Sequence, residues 1–129
     1  MKIRGCIFCL IMLMPPAIVN AAGMVSGRYG SAGGRNIVIV VEVSKPPPAA
    51  YIVLQRIPPR ITVSRADPAP AGFIAKTGTL KWFIKNPRPG ERTFTLNLSA
   101  AVPARALSGE IRYRDPVTGR MVRRTIARR

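Results

Sequence analysis

The side chains that most often do chemistry are scarce in this sequence. It has no histidine, and its two cysteines, Cys6 and Cys9, both lie in an apolar stretch near the N-terminus. Beyond that stretch the commonest general base, the thiol nucleophile and the usual zinc ligands are missing. The carboxylates number five: Glu42, Asp67, Glu91, Glu110 and Asp115. Glycoside hydrolysis needs two of them flanking a cleft. Glu42 and Glu110 instead fall on outward positions of extended runs, and Asp67 and Asp115 precede prolines in turns, so their reading is structural. Calcium takes roughly six to eight oxygen ligands, and no acid cluster supplies them. Ser44-Lys45 sets a hydroxyl beside an amine, but neighbours on a strand point to opposite faces, which removes a serine-lysine dyad. Gly27, Gly30, Gly33 and Gly34 are spaced like a phosphate-cradling loop. Such a loop follows a strand and opens a helix, whereas here a strand comes next. We expect no enzyme, no metal and no cofactor.

Positive charge is what the chain carries in quantity: 21 basic against 5 acidic groups, a net +16. Such a field attracts nucleic acid, anionic lipid or acidic polysaccharide. Arg112 and Arg114 project from one predicted strand, and Arg120, Arg123 and Arg124 follow in its hairpin partner. If several share a face, they can neutralise phosphates or sulfates, with binding that weakens steeply as salt rises. Tyr113 between them should face inward, so base stacking is not expected. Arg88, held between Pro87 and Pro89 at a loop tip, is a second contact candidate. The competing reading is a solvated surface, with Arg56, Arg60, Arg65, Lys76, Lys81 and Lys85 scattered singly, and an edge hairpin kept from aggregating by its charge.

The elements that would position these groups are extended. Thr77 to Ser99 reads TGTLKWFIKNPRPGERTFTLNLS and contains the only tryptophan. Leu80, Trp82 and Ile84 share one face of its first arm, and Phe94, Leu96 and Leu98 share a face of its second. Together they predict a β-hairpin that buries the indole, with Thr79, Lys81, Lys85, Thr93, Thr95 and Asn97 outside and Phe83 as an apolar exception on the outer face. Ile37 to Val43 alternates similarly. Pro46-Pro47-Pro48 stops it, because proline has no amide donor. Tyr51 to Arg56 and Ile61 to Ser64 are further extended pieces. SGEIRYR, Ser108 to Arg114, turns Ile111 and Tyr113 inward; Asp115 to Gly119 is a turn, and Arg120 to Ile126 returns. No helix longer than a turn is predicted after the leader. The fold expected is all-β, an immunoglobulin-like antiparallel β-sandwich of about seven strands.

The leader is residues 1–21. Lys2 and Arg4 precede an apolar run from Cys6 to Met14, and Val19-Asn20-Ala21 offers small residues for cleavage. That run is shorter than the roughly 20 apolar residues a spanning helix needs. A cleaved helical signal peptide is therefore expected, with cleavage near Ala21 or Ala22, the alternative being an uncleaved amphipathic or core segment. Residues 22–35 read as a flexible Gly/Ser-rich lead-in, 36–127 as the sandwich and 128–129 as a basic tail. The mature chain would have no transmembrane span and would be periplasmic or extracellular.

Three stretches, SKPPPAAYIVLQRIPP, KTGTLKWFIKNPRPGERTFTLNLS and LSGEIRYRDPVTG, resemble a family of small secreted bacterial domains with an immunoglobulin-like or fibronectin type III-like sandwich. The likeness spans roughly Ile37 to Val122. It implies structural roles for Tyr51, Pro58, Gly78, Lys81, Trp82, Gly109 and Tyr113, and departs at Ile57-Pro58-Pro59-Arg60, where the family more often has Leu-Pro followed by glycine and tryptophan. Members resemble accessory modules of larger extracellular proteins. The expected function is a non-enzymatic exported interaction or structural module with an envelope or extracellular protein partner. The alternative is a cationic polyanion-binding protein acting on anionic lipid, acidic polysaccharide or nucleic acid through its C-terminal hairpin.

Overall fold

The computed structural model describes residues 24–128. The expected leader, residues 1–21, and Arg129 of the expected tail lie outside them. Nine strands follow one another: β1 (Val25–Ser31), β2 (Gly34–Val43), β3 (Ala50–Arg56), β4 (Val63–Asp67), β5 (Gly72–Ile74), β6 (Thr79–Lys85), β7 (Gly90–Val102), β8 (Ser108–Arg114) and β9 (Met121–Thr125). One 3-10 turn, Ala104–Ala106, separates β7 from β8. The strands form two sheets, one of four in the order β1-β2-β7-β4 and one of five in the order β5-β6-β3-β8-β9. Every strand pair is antiparallel. The architecture is an all-β sandwich, compatible with an immunoglobulin-like domain.

Period-two alternation builds the core. Ile37, Ile39, Val41 and Val43 of β2, Phe94, Leu96 and Leu98 of β7, Tyr51 and Val53 of β3, Leu80, Trp82 and Ile84 of β6, and Ile111 and Tyr113 of β8 are all buried between the sheets. Each sends its intervening residues to the outer face, as a strand must. Trp82 and Phe94 meet edge to face across the sandwich, ring centroids 5.5 Å apart. The Trp82 indole N–H donates to the Pro68 carbonyl at 2.8 Å, which satisfies the one polar atom of a side chain 1 % exposed.

The segment Thr77 to Ser99 is not a hairpin. Its two arms lie in different sheets, β6 against β3 and β5, β7 against β2 and β4. The chain crosses from one layer to the other through Asn86 to Pro89, as a β-arch. Two runs with alternating apolar faces can lie side by side or face to face, and both satisfy the same pattern. The loop chemistry favours the second. Pro87 and Pro89 lack amide donors that a tight hairpin turn would use, Pro87 is buried, and the Asn86 N–H donates outside the segment, to the Ala49 carbonyl at 2.8 Å.

Residues 22–35 are likewise not simply a flexible lead-in. Val25–Ser31 is strand β1, paired with β2 from Val25 opposite Val43 to Ser31 opposite Val38, and Val25 and Tyr29 are buried. Its glycine is there for close approach. A Cβ on Gly27 would stand 2.5 Å from Ile111 Cδ1 and 3.5 Å from Ile126 Cγ1. The glycine that reads as chain entropy in the sequence is what lets the strand lie against the core. The Tyr29 hydroxyl then donates to Gln55 Oε1 at 2.7 Å, and Gln55 Nε2 donates to the carbonyls of Arg56 and Ser108. Gln55 is fully buried, and this network occupies it.

At the C-terminus the expected last strand, Arg120 to Ile126, ends at Thr125, after which the chain changes neighbours. The Ile126 N–H donates to Gly109 O, the Tyr29 N–H to Ala127 O and the Ala127 N–H to Gly27 O, each at 2.9 Å. This segment joins β8 of one sheet to β1 of the other and closes that side of the sandwich. Arg128 donates to the Leu107 carbonyl, so the first residue of the expected tail is fastened to the domain.

Candidate functional site

The five-stranded sheet turns a band of cations outward. The registers place Arg56 opposite Thr79 and Ser108, Leu54 opposite Lys81 and Glu110, and Ile52 opposite Phe83 and Arg112. Lys85 lies opposite Ala50. In the terminal hairpin Arg112 faces Arg123, Arg114 faces Met121, and Glu110 faces Thr125. Six cations therefore occupy one surface: Arg56, Lys81, Lys85, Arg112, Arg114 and Arg123. Glu110 is the acid among them. Arg112 Nε donates to Glu110 Oε1 at 2.7 Å. Directly opposed like charges destabilise a sheet, and this ion pair offsets the Arg112–Arg123 opposition. Among the described residues, the other five cations of the face form no ion pair.

The opposite outer face is close to balanced. Arg28 and Arg65 share it with Glu42, Glu91 and Asp67. Glu42 and Glu91 stand directly across from each other on β2 and β7, a pairing invisible in the sequence, where they are far apart. Arg28 Nη2 reaches Glu91 Oε1 at 3.2 Å. Both glutamates are exposed on an open sheet, so the pair does not flank a cleft of the kind hydrolysis requires. Among the described residues, no three acid, histidine or cysteine side chains gather as a metal cluster.

The sequence-nominated arginines do not all act together. Arg112, Arg114 and Arg123 share the outer face. Arg124 lies opposite Ile111, on the inward side of the edge strand, and is half-buried. Arg120 belongs to the turn, where its N–H meets Thr118 Oγ1 and its carbonyl accepts from Asp115 N–H. The contact set proposed from the sequence thus divides between two sides, because alternation sends consecutive residues apart. Arg88 is exposed at the end of the sandwich, where Lys85 and Arg92 line the same hollow of about 300 Å³.

What the sequence did not assemble is the partnership of Arg56, Lys81 and Lys85 with this hairpin. Each reads as outward on its own strand, but only the strand order β6-β3-β8-β9 sets them beside the arginines. Between the charges lies apolar surface. Phe83 is 44 % exposed and Met121 59 %, with Ile52 and Leu54 half-buried between them. Lys85 Nζ stands 5.7 Å from the Phe83 ring centroid, within cation-π range. Two shallow hollows share Arg112 as a wall. One of about 500 Å³ surrounds Leu54 and Arg56, and the other, about 390 Å³, is lined by Ile52, Phe83, Met121 and Arg114.

No family model, curated protein or solved structure matches this chain. The functional reading therefore rests on the geometry of this face.

Proposed function

We propose that the chain is a non-enzymatic, exported β-sandwich of the immunoglobulin-like kind that serves as an interaction module at the cell envelope or outside the cell, with the outer face of the five-stranded sheet as its binding surface. The observation that carries this is charge segregation. Six cations and one ion-paired acid lie on that face, against two cations and three acids on the other. A net charge that only kept the protein soluble would have no reason to sort by face. The exposed Phe83 and Met121 inside the cationic band are a second mark of a contact surface.

The strand order supports the immunoglobulin-like assignment. The sheet β1-β2-β7-β4 follows the ABED order of such domains, and β3-β8-β9 follows CFG, with β6 and β5 added beside β3. Those added strands come after β4 in the chain, whereas variable-type domains insert theirs before the equivalent strand. Polyanion binding, the second reading, uses the same face and widens from the C-terminal hairpin to include β6 and β3.

The test is retention on a heparin column across a salt gradient. Lys81→Gln, Lys85→Gln, Arg114→Gln and Arg123→Gln together should elute at clearly lower salt than a control that loses equal charge elsewhere, through Arg60→Gln, Arg65→Gln, Lys76→Gln and Arg105→Gln. Equal shifts for the two sets would show that bulk charge, and not this face, governs binding.

A further inference from the structure

We propose that the binding face docks on a phosphate-bearing lipid surface, with Phe83 and Met121 entering the headgroup layer while Lys81, Lys85, Arg112, Arg114 and Arg123 meet phosphates. This deepens the functional reading above and rests on it.

Three features select a membrane over the other anionic partners. The first is the apolar median. Cations on β6 and on β8-β9 flank a strip in which β3 contributes Ala50, Ile52 and Leu54, continued by Phe83 and Met121. A soluble polyanion engages the charges and leaves that strip in water, whereas the boundary between headgroups and acyl chains accepts both at once. The second is the aromatic count. Among the described residues Phe83 is the only aromatic side chain on this face, and Tyr51 and Tyr113 are buried beneath it, so successive bases have no row of rings to stack on. The third is self-repulsion. A second copy laid face to face would oppose two sets of cations across the same apolar strip, a repulsion that disfavours homodimerisation through this surface at low salt.

Side-chain geometry fits the task. Lys85 Nζ sits over the Phe83 ring, so ammonium and phenyl reach the interface together. The hollow of about 390 Å³ beside them is lined by Arg112 and Arg114, by Ile52, Phe83 and Met121, and by Asp115, whose Oδ1 accepts from the N–H groups of Val117 and Thr118. An anionic headgroup at the arginines and the first methylenes of its chain against the apolar residues satisfy both parts. Long basic side chains lie along apolar surface while their heads stay wet.

The experiment uses the full chain with vesicles of phosphatidylcholine alone, or with about a quarter phosphatidylglycerol. Cosedimentation should favour the anionic vesicles and weaken with salt, and each face cation removed should lower partitioning about fivefold. Phe83→Ser with Met121→Ser should lower it about tenfold while leaving heparin retention unchanged. Phe83→Trp should show, over the signal of the native Trp82, added blue-shifted emission and added quenching by brominated lipid in anionic vesicles. Trp82 emits as well and is buried next to position 83, so the wild-type protein is measured alongside, and the quenching gained by Phe83→Trp over wild type reports the face itself. Vesicle binding with no quenching beyond that of wild type overturns lipid docking. Unaltered partitioning of the Phe83→Ser, Met121→Ser protein, together with charge-dependent heparin retention, overturns it too and leaves a cationic face for soluble polyanions. If the Lys81, Lys85, Arg114 and Arg123 variant behaves like wild type with both vesicles and heparin, the functional reading fails with it. Circular dichroism melts confirm that each variant is folded.

Discussion

Replacing Tyr29 with phenylalanine isolates one hydrogen bond that decides whether the N-terminal segment belongs to the fold. The ring stays, so no cavity opens, but Gln55 Oε1 loses the hydroxyl that donates to it at 2.7 Å. Gln55 is fully buried. Leaving a buried acceptor without a donor costs about 1 to 3 kcal/mol. In a domain of this size that corresponds to a fall in Tm of roughly 4 to 20 °C. Gln55→Met should be costlier, because it strands the Tyr29 hydroxyl together with the carbonyls of Arg56 and Ser108 that Nε2 serves at 2.9 and 3.0 Å. The double variant should cost less than the two singles added, by about 1 to 2 kcal/mol, since the Tyr29–Gln55 bond is lost only once. Urea unfolding followed by fluorescence and circular dichroism gives all four corners of the cycle. If Tyr29→Phe lies within about 0.3 kcal/mol of wild type, or the two changes are additive, β1 is not docked on the core and the fold begins at β2.

Trp82→Ala should cost about 3 to 5 kcal/mol, read from the denaturation midpoint, because the indole is buried, stacks edge-on against Phe94 and donates to Pro68. Gly109→Ala should destabilise by about 1 to 3 kcal/mol in the same measurement, since its Cβ would meet Ile126 Cδ1 at 2.6 Å, Gln55 Oε1 at 2.8 Å and the Leu54 carbonyl at 3.0 Å. Stability should fall above pH 10. Burial pushes the Tyr51 hydroxyl from 10.0 up to about 12, against a smaller lowering by Arg92. The contribution is intact below the unfolded pKa and is lost between about pH 10 and 12, where the unfolded chain has released a proton that the folded chain keeps. Burial raises Tyr29 as well, partly countered by its bond to Gln55 and by Arg128, so it acts in the same sense. Tyr51→Phe should flatten the alkaline slope by about 1.4 kcal/mol per pH unit, measured by urea unfolding at successive pH values.

Period-two alternation is a local property, and residue order alone therefore determined which side of each strand is buried. Leu80, Trp82, Ile84, Phe94, Leu96, Leu98, Ile111 and Tyr113 all lie in the core, and the all-β class follows from the same pattern with its proline and glycine breaks. The sequence also placed Lys81, Lys85, Arg112 and Arg114 on outward positions. It did not reveal strand β1, because Gly27 signals chain entropy until Ile111 and Ile126 are seen pressed against it. Nor did it distinguish a hairpin from an arch, since β6 and β7 carry the same alternation whether they bond to each other or face each other across the core.

Strand order was decided by the tertiary structure alone. It rests on long-range pairings, β3 with β6 and β8, β2 with β7, whose partners are set by which apolar faces fill one shared volume. The candidate site is a product of that order. Its cations come from β3, β6, β8 and β9, each modest on its own strand, and they become a surface only because β6-β3-β8-β9 lie side by side. Charge opposes its own concentration, so a residue count could report the excess but not its location. The packing of the core chose the face on which that excess is gathered.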